Sequence, residues 1–363
     1  MILRGRLLTD PSRPPRIGWI RLEDHRIAEI GEGDPPDGER ALGSRDHVIT
    51  PAFVDAHTHL PQIDSVGCDG LDLLDWLSRV IFPAETWWGA GAGTHLARRA
   101  TDSYMREGTA AVAGYLTSHA EMSRCVAALI ANETPLRTML GRVAMDREAP
   151  DDLTAEDRAR AGSSPVPSPL MPDYGSAHRH EVSANPRFAI TCTDELLAEI
   201  GWHIRENPGT PVQTHLSEST RECARVAELF PDDASYTHVY DRFGLLTERT
   251  LLAHCLHLSD DEWELIARRG STVVHCPGAN TFLQSGIFDL GKARESGVKL
   301  ALGSDVAAGP DVAMPRVARA AIEVAKLRAM TVDPKAHIPT PAEVWDLITR
   351  RGADAVGWTD SCR

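Results

Sequence analysis

The stretch ITPAFVDAHTHLPQ, Ile49 to Gln62, decides how the rest of the sequence is interpreted. It begins with an apolar run typical of a buried strand and ends with His57 and His59, one residue apart. Side chains at positions i and i+2 of a strand point to the same side, so we expect the two imidazoles to project together. Two neighbouring neutral imidazoles suit a first-row metal such as zinc. In isolation, the pattern favours a simpler interpretation as a strand cap and a satisfied polar residue, because short motifs often occur by chance.

Apolar strands alternate with amphipathic segments from about Val48 onward. The predicted strands are VITPAFVDAH, TAAVAGYL, TMLGRVAM, VQTHLS, TLLAHC, STVVHCP and KLALGSD, with a weaker eighth strand in EVSANPRFAITC. Helical patterns between them include DELLAEIGWHIREN, STRECARVAELF and SDDEWELIARRG. Eight such units in about 250 residues predict an α/β fold, a (β/α)8 TIM barrel. A doubly wound sheet is the alternative, but no GxGxxG motif follows the first strand.

The N-terminal part has a different pattern, in which the short strands ILRGRLL and GWIRLEDHRIAEIG are separated by turn residues. We therefore predict a small β-rich region over residues 1–47 and a barrel over residues 48–363. The segment from Ala161 to Pro186 is rich in Pro, Ser and Gly, and it predicts a long loop that could act as a lid.

Composition limits the classes of partner. The chain has 363 residues and a net charge of −14, which disfavours nucleic acid and favours small or neutral ligands. We expect no membrane partner, because no apolar run is long enough to span a bilayer, and no signal peptide is recognisable. The seven cysteines are scattered and form no CxxC pair, which favours a reducing compartment and predicts a cytoplasmic protein.

Polar residues close several of the predicted strands. The residues at these strand ends are His57, His59, His215, His254 and Asp305. In a TIM barrel the carboxyl ends of the strands meet at one mouth, where active sites lie. Each residue alone could be a core histidine or a helix cap. Those separate explanations do not account for five such residues at strand ends, so the sequence predicts a mononuclear metal hydrolase site.

Glu218 follows His215 by three positions and is predicted to carry protons at the rim of this site. The alternative is a first-turn carboxylate favoured by the helix dipole. His257 and His275 are interpreted as structural residues or as supports for the metal ligands.

The sequence resembles the amidohydrolase superfamily through the motifs AFVDAHTH, HLSE, LLAHCLHLS, HCPGAN and LGSDV. More narrowly, it resembles the guanine deaminase family. The segments that carry this narrower resemblance are HLPQ (59–62), LLDWLSRVIFPAE (73–85), AMDREAP (144–150), PRFAITCTDELL (186–197) and FPDDASYTHVYDRFGLL (230–246). The similarity runs from about residue 45 to the end of the chain, with the motifs in the family's order.

The resemblance implies a zinc-dependent deaminase that converts guanine and water to xanthine and ammonia, a hydrolase acting on C–N bonds of a cyclic amidine. Its implied ligands are His57, His59, His215 and Asp305, with His254 contacting the metal or its water. Glu218 is the implied proton shuttle, and Asn280 the implied supporting residue.

The resemblance also implies how a small-molecule purine would be held. Gln62 and Arg187 are implied as hydrogen-bonding groups for the purine, and Phe188 as an apolar wall beside the ring. The chemistry agrees, because zinc lowers the pKa of bound water to roughly 7. Asp305 and Glu218 can move protons, and the fixed donor fork of Arg187 can read a carbonyl. Phe188 is explained equally well by core packing.

Two alternatives remain open from the sequence. One is an amidohydrolase that deaminates another aminated heterocycle, such as a pterin or a modified purine, since fold analogy does not fix the substrate. The other is a truncated, non-catalytic binding protein. Members of the family usually continue past a segment like LITRRGADAVGW, so we expect the N-terminal region to be β-sandwich-like and C-terminally truncated. The unpaired strand edges that would result predict a homodimer.

Overall fold

The computed structural model describes residues 1–24, 26–160 and 179–358. The strands are β1 (Ile2–Leu7), β2 (Arg16–Glu23), β3 (Arg26–Glu32), β4 (Ala41–Leu42), β5 (Val48–Ile49), β6 (Phe53–His59), β7 (Thr109–Tyr115), β8 (Arg137–Gly141), β9 (Val143–Ala144), β10 (His180–Val182), β11 (Asn185–Pro186), β12 (Val212–Leu216), β13 (Thr250–His254), β14 (Thr272–His275) and β15 (Lys299–Leu302).

Helices follow most of the strands from β6 onward. They are α1 (Leu73–Trp76), α2 (Phe82–Trp87), α3 (Gly93–Arg106), α4 (Ala120–Glu133), α5 (Asp151–Arg160), α6 (Asp194–Glu206), α7 (Thr220–Leu229), α8 (Tyr236–Arg242), α9 (Asp260–Arg269), α10 (Pro277–Phe282), α11 (Leu290–Glu295), α12 (Met314–Thr331), α13 (Pro341–Leu347) and α14 (Arg350–Ala355). A π-helical turn, Leu77–Ile81, joins α1 to α2, and the segment Trp88–Ala92 joins α2 to α3 through a kink at Gly91, whose φ is 125°.

The strands from β6 to β15 are all parallel to their neighbours. They form the orders β10-β8-β7-β6, β11-β9 and β12-β13-β14-β15. Backbone hydrogen bonds join the sheets at two seams. At one, Ala184 N–H donates to Pro211 O at 2.9 Å; at the other, Asp305 N–H donates to His57 O at 2.8 Å. The prediction of an α/β fold is confirmed, and these bonds join the strands edge to edge into a ring, as a (β/α)8 barrel requires.

The predicted strands and helices of the barrel are confirmed, because the apolar positions of their sequence patterns are the positions that are buried. All five residues of both β12 and β13 are buried, as expected of a parallel strand covered on both faces. Helices α7 and α9 each begin with a capping box, Ser219 with Glu222 and Ser259 with Glu262. Each box satisfies backbone N–H groups that the first helical turn leaves free.

The N-terminal strands form a separate five-stranded sheet. Its order is β3-β2-β1-β4, and β5 also pairs with β1. The predicted strand ILRGRLL is confirmed as β1, whereas GWIRLEDHRIAEIG divides into the antiparallel strands β2 and β3. The sheet lies against the barrel flank, where Trp345 Nε1 donates to Thr50 Oγ1 at 3.0 Å. Within the described residues, β3 pairs only with β2, and Ile27 and Ile30 on it are each 48% exposed. The domain boundary at residue 47 stays a prediction.

The segment predicted as a long loop, Ala161 to Pro186, is only partly described. Residues 161–178 lie outside the described residues, so the lid prediction is not addressed there. At its described end the loop prediction is wrong, because β10 and β11 pair with β8 and β9. These two short strands supply the expected eighth strand, whose weak apolar pattern reflects its division into two pieces. His25 and residues 359–363 are likewise outside the described part of the chain.

Across the described ranges, no helix combines the length and the apolar character needed to cross a membrane.

Candidate active site

Four predicted ligands converge at the carboxyl ends of the barrel strands. His57, His215, His254 and Asp305 each offer one ligand atom, and these atoms all lie within 4.8 Å of one another. His59 Nε2 lies beside the same group, 3.4 Å from Asp305 Oδ1 and 3.1 Å from His215 Nε2. All five side chains are buried. The structure therefore brings together every residue predicted to bind the metal.

Hydrogen bonds fix which ring nitrogen of two histidines faces this cluster. His215 Nδ1–H donates to Arg187 O at 2.6 Å, and His254 Nδ1–H donates to Asn280 Oδ1 at 2.8 Å. With the hydrogen on Nδ1, the Nε2 atom of each ring carries a lone pair. Sequence patterns do not reveal the Arg187 carbonyl as a partner, because any residue can offer a backbone oxygen.

Buried ring nitrogens in the cluster lack partners among the described residues. They are His57 Nε2, His254 Nε2 and His59 Nδ1. Buried polar atoms are normally hydrogen-bonded, so the unpaired nitrogens of His57 and His254, which both belong to the cluster, are available to a metal ion. Tyr115 packs the cluster from one side, with its ring stacked on His59 at 4.6 Å between centroids.

The strand ends that carry these residues turn sharply. His254 and Asp305 have φ angles of 73° and 50°, and Ser217, beside Glu218, has a φ of 50°. Non-glycine residues adopt this left-handed region at a cost, and such residues concentrate at functional sites.

The electrostatic environment favours the forms that bind a cation. Burial lowers the pKa of His59 to about 4 and lowers the pKa of His215 well below its usual value, so both rings are neutral near pH 7. Burial alone would raise the pKa of Asp305, but its close contacts with the His57 and His59 rings hold it well below its usual value. His59 and His215 thus present neutral imidazoles beside an ionised carboxylate.

Glu218 lies at the edge of the cluster, just before α7. Its Oε2 is 3.4 Å from His254 Nε2, and Ser285 Oγ–H donates to its Oε1 at 3.4 Å. The backbone N–H of Glu218 donates to Glu222 Oε2 at 2.6 Å, so the capping box of α7 also positions this residue. Burial, with repulsion from Asp305 and Glu222, raises the pKa of Glu218 well above its usual value.

A cavity opens beside the cluster. Its polar lining is formed by His59, Gln62, Arg187, His215, Glu218, His254 and Asp305, and its apolar lining by Leu73, Trp76, Leu77, Phe188, Leu283 and Ala308. Gln62, Arg187 and Phe188, the residues predicted to contact substrate, all line this cavity, and each is buried. A polar cluster against apolar walls is typical of a small-molecule site.

Glu85, which no local sequence pattern indicates, connects Gln62 with Arg187. Arg187 Nη1 donates to Glu85 Oε1 at 2.9 Å and to Oε2 at 2.7 Å, while Gln62 Nε2 donates to Oε1 at 3.1 Å. Glu85 is fully buried on α2. The only signal in the sequence was its place in the family-like segment at residues 73–85, since nothing local pairs it with a residue 102 positions away.

The remaining histidines of the motifs lie outside the cluster. The His275 ring stacks on Phe288 at 4.3 Å, and its Nδ1 lies 3.5 Å from Asn280 Nδ2. His257 Nε2–H donates to the backbone oxygen of Ser285 at 2.9 Å, and the hydroxyl of the same serine contacts Glu218. Asn280 therefore connects His275 with His254.

Comparison with known proteins agrees with the geometry of this site. Residues 48–362 match the amidohydrolase family. A guanine deaminase of Escherichia coli K12 is 33% identical over 340 residues, which cover 92% of this chain and 73% of that protein. A guanine deaminase of Dictyostelium discoideum is 35% identical over 299 residues, 78% of this chain. The match spans 63% of the Dictyostelium protein, less than two thirds of its length.

Among solved structures, a guanine deaminase from C. acetobutylicum with guanine bound in its active site superimposes with a TM-score of 0.89. The two sequences are 27% identical, and the match covers 100% of this chain and 88% of the other.

Proposed function

The chain belongs to the amidohydrolase family, and within it to the guanine deaminases; we propose that it hydrolyses the amino group of guanine, giving xanthine and ammonia, with the aid of zinc. The observation that carries this proposal is a buried cavity that Glu218, Gln62 and Arg187 share with the histidine–aspartate cluster.

The residues fit a zinc ion. The unpaired Nε2 atoms of His57 and His254 and the Nε2–Nε2 approach of His59 and His215 leave several lone pairs without a hydrogen. Together with the Asp305 carboxylate, they form the nitrogen and oxygen donor set that zinc prefers. We assign His57, His59, His215 and Asp305 as ligands, with His254 contacting the metal or its water. When bound, zinc would supply a hydroxide equivalent at neutral pH.

The protein's own carboxylates would move the protons. Asp305 accepts the proton from the attacking water. Glu218 protonates a ring nitrogen of the heterocycle as water adds to the amino-bearing carbon. When the carbon–nitrogen bond breaks, the proton held by Asp305 passes to the departing ammonia. The hydroxyl proton lost as the new carbonyl forms returns to Glu218, so water and guanine give xanthine and ammonia without any co-reactant. The Oε2 atom of Glu218, 3.4 Å from His254 Nε2, is close enough to the cluster for this role.

Gln62 and Arg187 would hold the purine, and Phe188 would pack against its ring. Arg187 offers a donor fork suited to a ring carbonyl, and Gln62 offers an amide to the edge of the heterocycle. The apolar side chains of Trp76 and Leu283 complete the walls. A site that hydrogen-bonds its substrate rejects analogues that leave those groups unpaired.

An ammonia-release screen on zinc-loaded protein tests the proposal. The panel includes guanine, a pterin and modified aminopurines, which separates guanine deamination from deamination of another heterocycle. We expect guanine to be the preferred substrate. Release of ammonia from a pterin only would replace the substrate, and binding without any ammonia release would favour the non-catalytic alternative.

We further propose that the protein acts in the cytoplasm and associates as a homodimer. The scattered cysteines without a CxxC pair support the first statement. The unpaired edge of β3, with Ile27 and Ile30 half exposed on it, supports the second, because such an edge favours pairing with a second copy.

A further inference from the structure

Gln62 and Arg187 line the cavity, and Glu85 lies behind both. The Glu85 carboxylate accepts two hydrogen bonds from Arg187 Nη1 and one from Gln62 Nε2. The side chains of Arg187 and Glu85 are 3% and 1% exposed, so solvent does not screen this ion pair.

The pair has an electrostatic consequence for the cavity. A guanidinium is charged at all accessible pH values, and a buried charge interacts strongly with other charges because the local dielectric is low. Without a partner, Arg187 would make this wall a binding site for anions. With Glu85 behind it, the wall offers hydrogen-bond donors with little net charge.

Glu85 also determines how Gln62 is oriented. A carboxylate only accepts hydrogen bonds, so the amide nitrogen of Gln62 faces Glu85. At the other end, Ala307 N–H only donates, and it binds Gln62 Oε1 at 3.2 Å. These two contacts allow a single orientation of the amide.

We propose that Glu85 is a specificity-determining positioning residue, which balances the charge of Arg187 so that the cavity favours neutral aminated heterocycles over anionic oxo-heterocycles. This inference rests on the proposed function only in treating the cavity as the heterocycle site.

The preference for neutral heterocycles matters for product release in the proposed reaction. Hydrolysis replaces an amino group by a carbonyl, which makes the neighbouring ring N–H groups more acidic. The product therefore forms an anion more readily than the substrate does. A charge-balanced wall lets such a product leave, whereas an uncompensated Arg187 would retain it.

Equilibrium dialysis on the zinc-loaded protein tests the inference without requiring turnover. The probes are urate, an anionic oxopurine at neutral pH, and hypoxanthine, a neutral one. The measured quantity is the ratio of their affinities, anionic to neutral. In Glu85→Gln we expect this ratio to rise at least ~10-fold, because a buried charge becomes uncompensated. In Glu85→Asp, which keeps the charge, we expect a ratio close to that of the parent.

A matched control is available in the same barrel. Arg142 and Asp157 form a second buried ion pair, with side chains 2% and 1% exposed, which does not line the cavity. We expect Asp157→Asn to lower the melting temperature and leave the affinity ratio unchanged. A ratio in Glu85→Gln that equals the ratio in Asp157→Asn would overturn the proposal.

If Glu85→Gln does not fold, Arg187→Gln provides the opposite test. It leaves the Glu85 carboxylate unbalanced, so the ratio should fall below that of the parent, and an unchanged ratio would refute the proposal. A failure of the proposed function is distinguishable, since it would appear as absent ammonia release from guanine by the parent protein, whatever the affinity ratios.

Discussion

The Nε2 atoms of His59 and His215 lie 3.1 Å apart, and their rings are inclined by only 24°. His59 is the last residue of β6, and His215 is the last but one of β12. Because the Nδ1–H of His215 is bound to a backbone carbonyl, its Nε2 presents a lone pair toward His59. Two ring nitrogens facing each other in this way are suited to sharing one cation.

We first expect the purified protein to carry about one zinc per chain. Elemental analysis after purification without chelators measures this directly. Treatment with a chelator should lower the melting temperature, since a ligand that binds only the folded state stabilises it. Protein that contains no transition metal and takes up none on zinc addition would contradict the assignment.

Replacement of Glu218 by glutamine should abolish deamination and leave the zinc content intact. Glutamine keeps the size of the side chain but carries no proton, so turnover should fall by at least ~10². Ammonia release and metal content are measured on the same sample. Glu262→Gln is the control, because it makes the same change at another buried glutamate, which caps α9 and does not line the cavity. Near-normal turnover in Glu218→Gln would remove this residue from the mechanism.

The Arg187→Ala variant should lose discrimination between guanine and its analogues more than it loses zinc. The substitution removes the donor fork and leaves the buried Glu85 without its cation, a loss of about 3–5 kcal/mol in the free energy of unfolding. Kinetics on guanine and on a second aminopurine, with denaturant unfolding in parallel, measure both effects. Guanine kinetics that match the parent would show that Arg187 does not contact the substrate.

Asn280→Ala should weaken zinc binding about 10–100-fold, because Asn280 Oδ1 holds the Nδ1–H of His254. Competition with a chromophoric chelator measures the affinity. The control is Asn185→Ala, which removes another buried amide of the barrel, bonded to Ser183 and Gly114. If both variants bind zinc equally, the orientation of His254 does not depend on Asn280.

Sedimentation should show a dimer at micromolar concentration, and Ile27→Lys with Ile30→Lys should shift it toward monomer. Lysine on an edge strand opposes pairing with another chain. Retained zinc and ammonia release would show that the barrel is intact in the variant. A monomeric parent whose β3 amides are protected from hydrogen exchange would mean that the edge is satisfied internally.

The convergence of the proposed metal ligands was predictable from sequence because each of them lies at or near the end of an apolar strand. His57 and His59 share one strand, and the topology of parallel strands brings His215, His254 and Asp305 to the same end of the ring. Local patterns therefore contained almost all the information needed, with the barrel supplying the convergence.

The side of the cavity formed by Gln62 and Arg187 was less predictable. Glu85 lies on α2, between a π-helical turn and the kink at Gly91, and its partner Arg187 follows the short strand β11. No periodicity pairs a helix carboxylate with an arginine that distant in sequence. The eighth strand was also weak, since its apolar residues are divided between β10 and β11 and it pairs with β8 and β9 separately.

The seam between β6 and β15 determines when the site can form during synthesis and folding of the chain. Ser304 N–H donates to Asp55 Oδ1 at 2.9 Å across 249 positions of the chain, and Asp305 N–H bonds to His57 O in the same place. Two proposed ligands next to the first strand of the ring and one next to the last thus meet only after loop closure over most of the sequence. A chain still emerging from the ribosome has no such site until Asp305 has been synthesised and released from the exit tunnel. Metal capture is therefore a late event in biosynthesis, and a zinc ion bound there would clamp the first strand of the ring to the last.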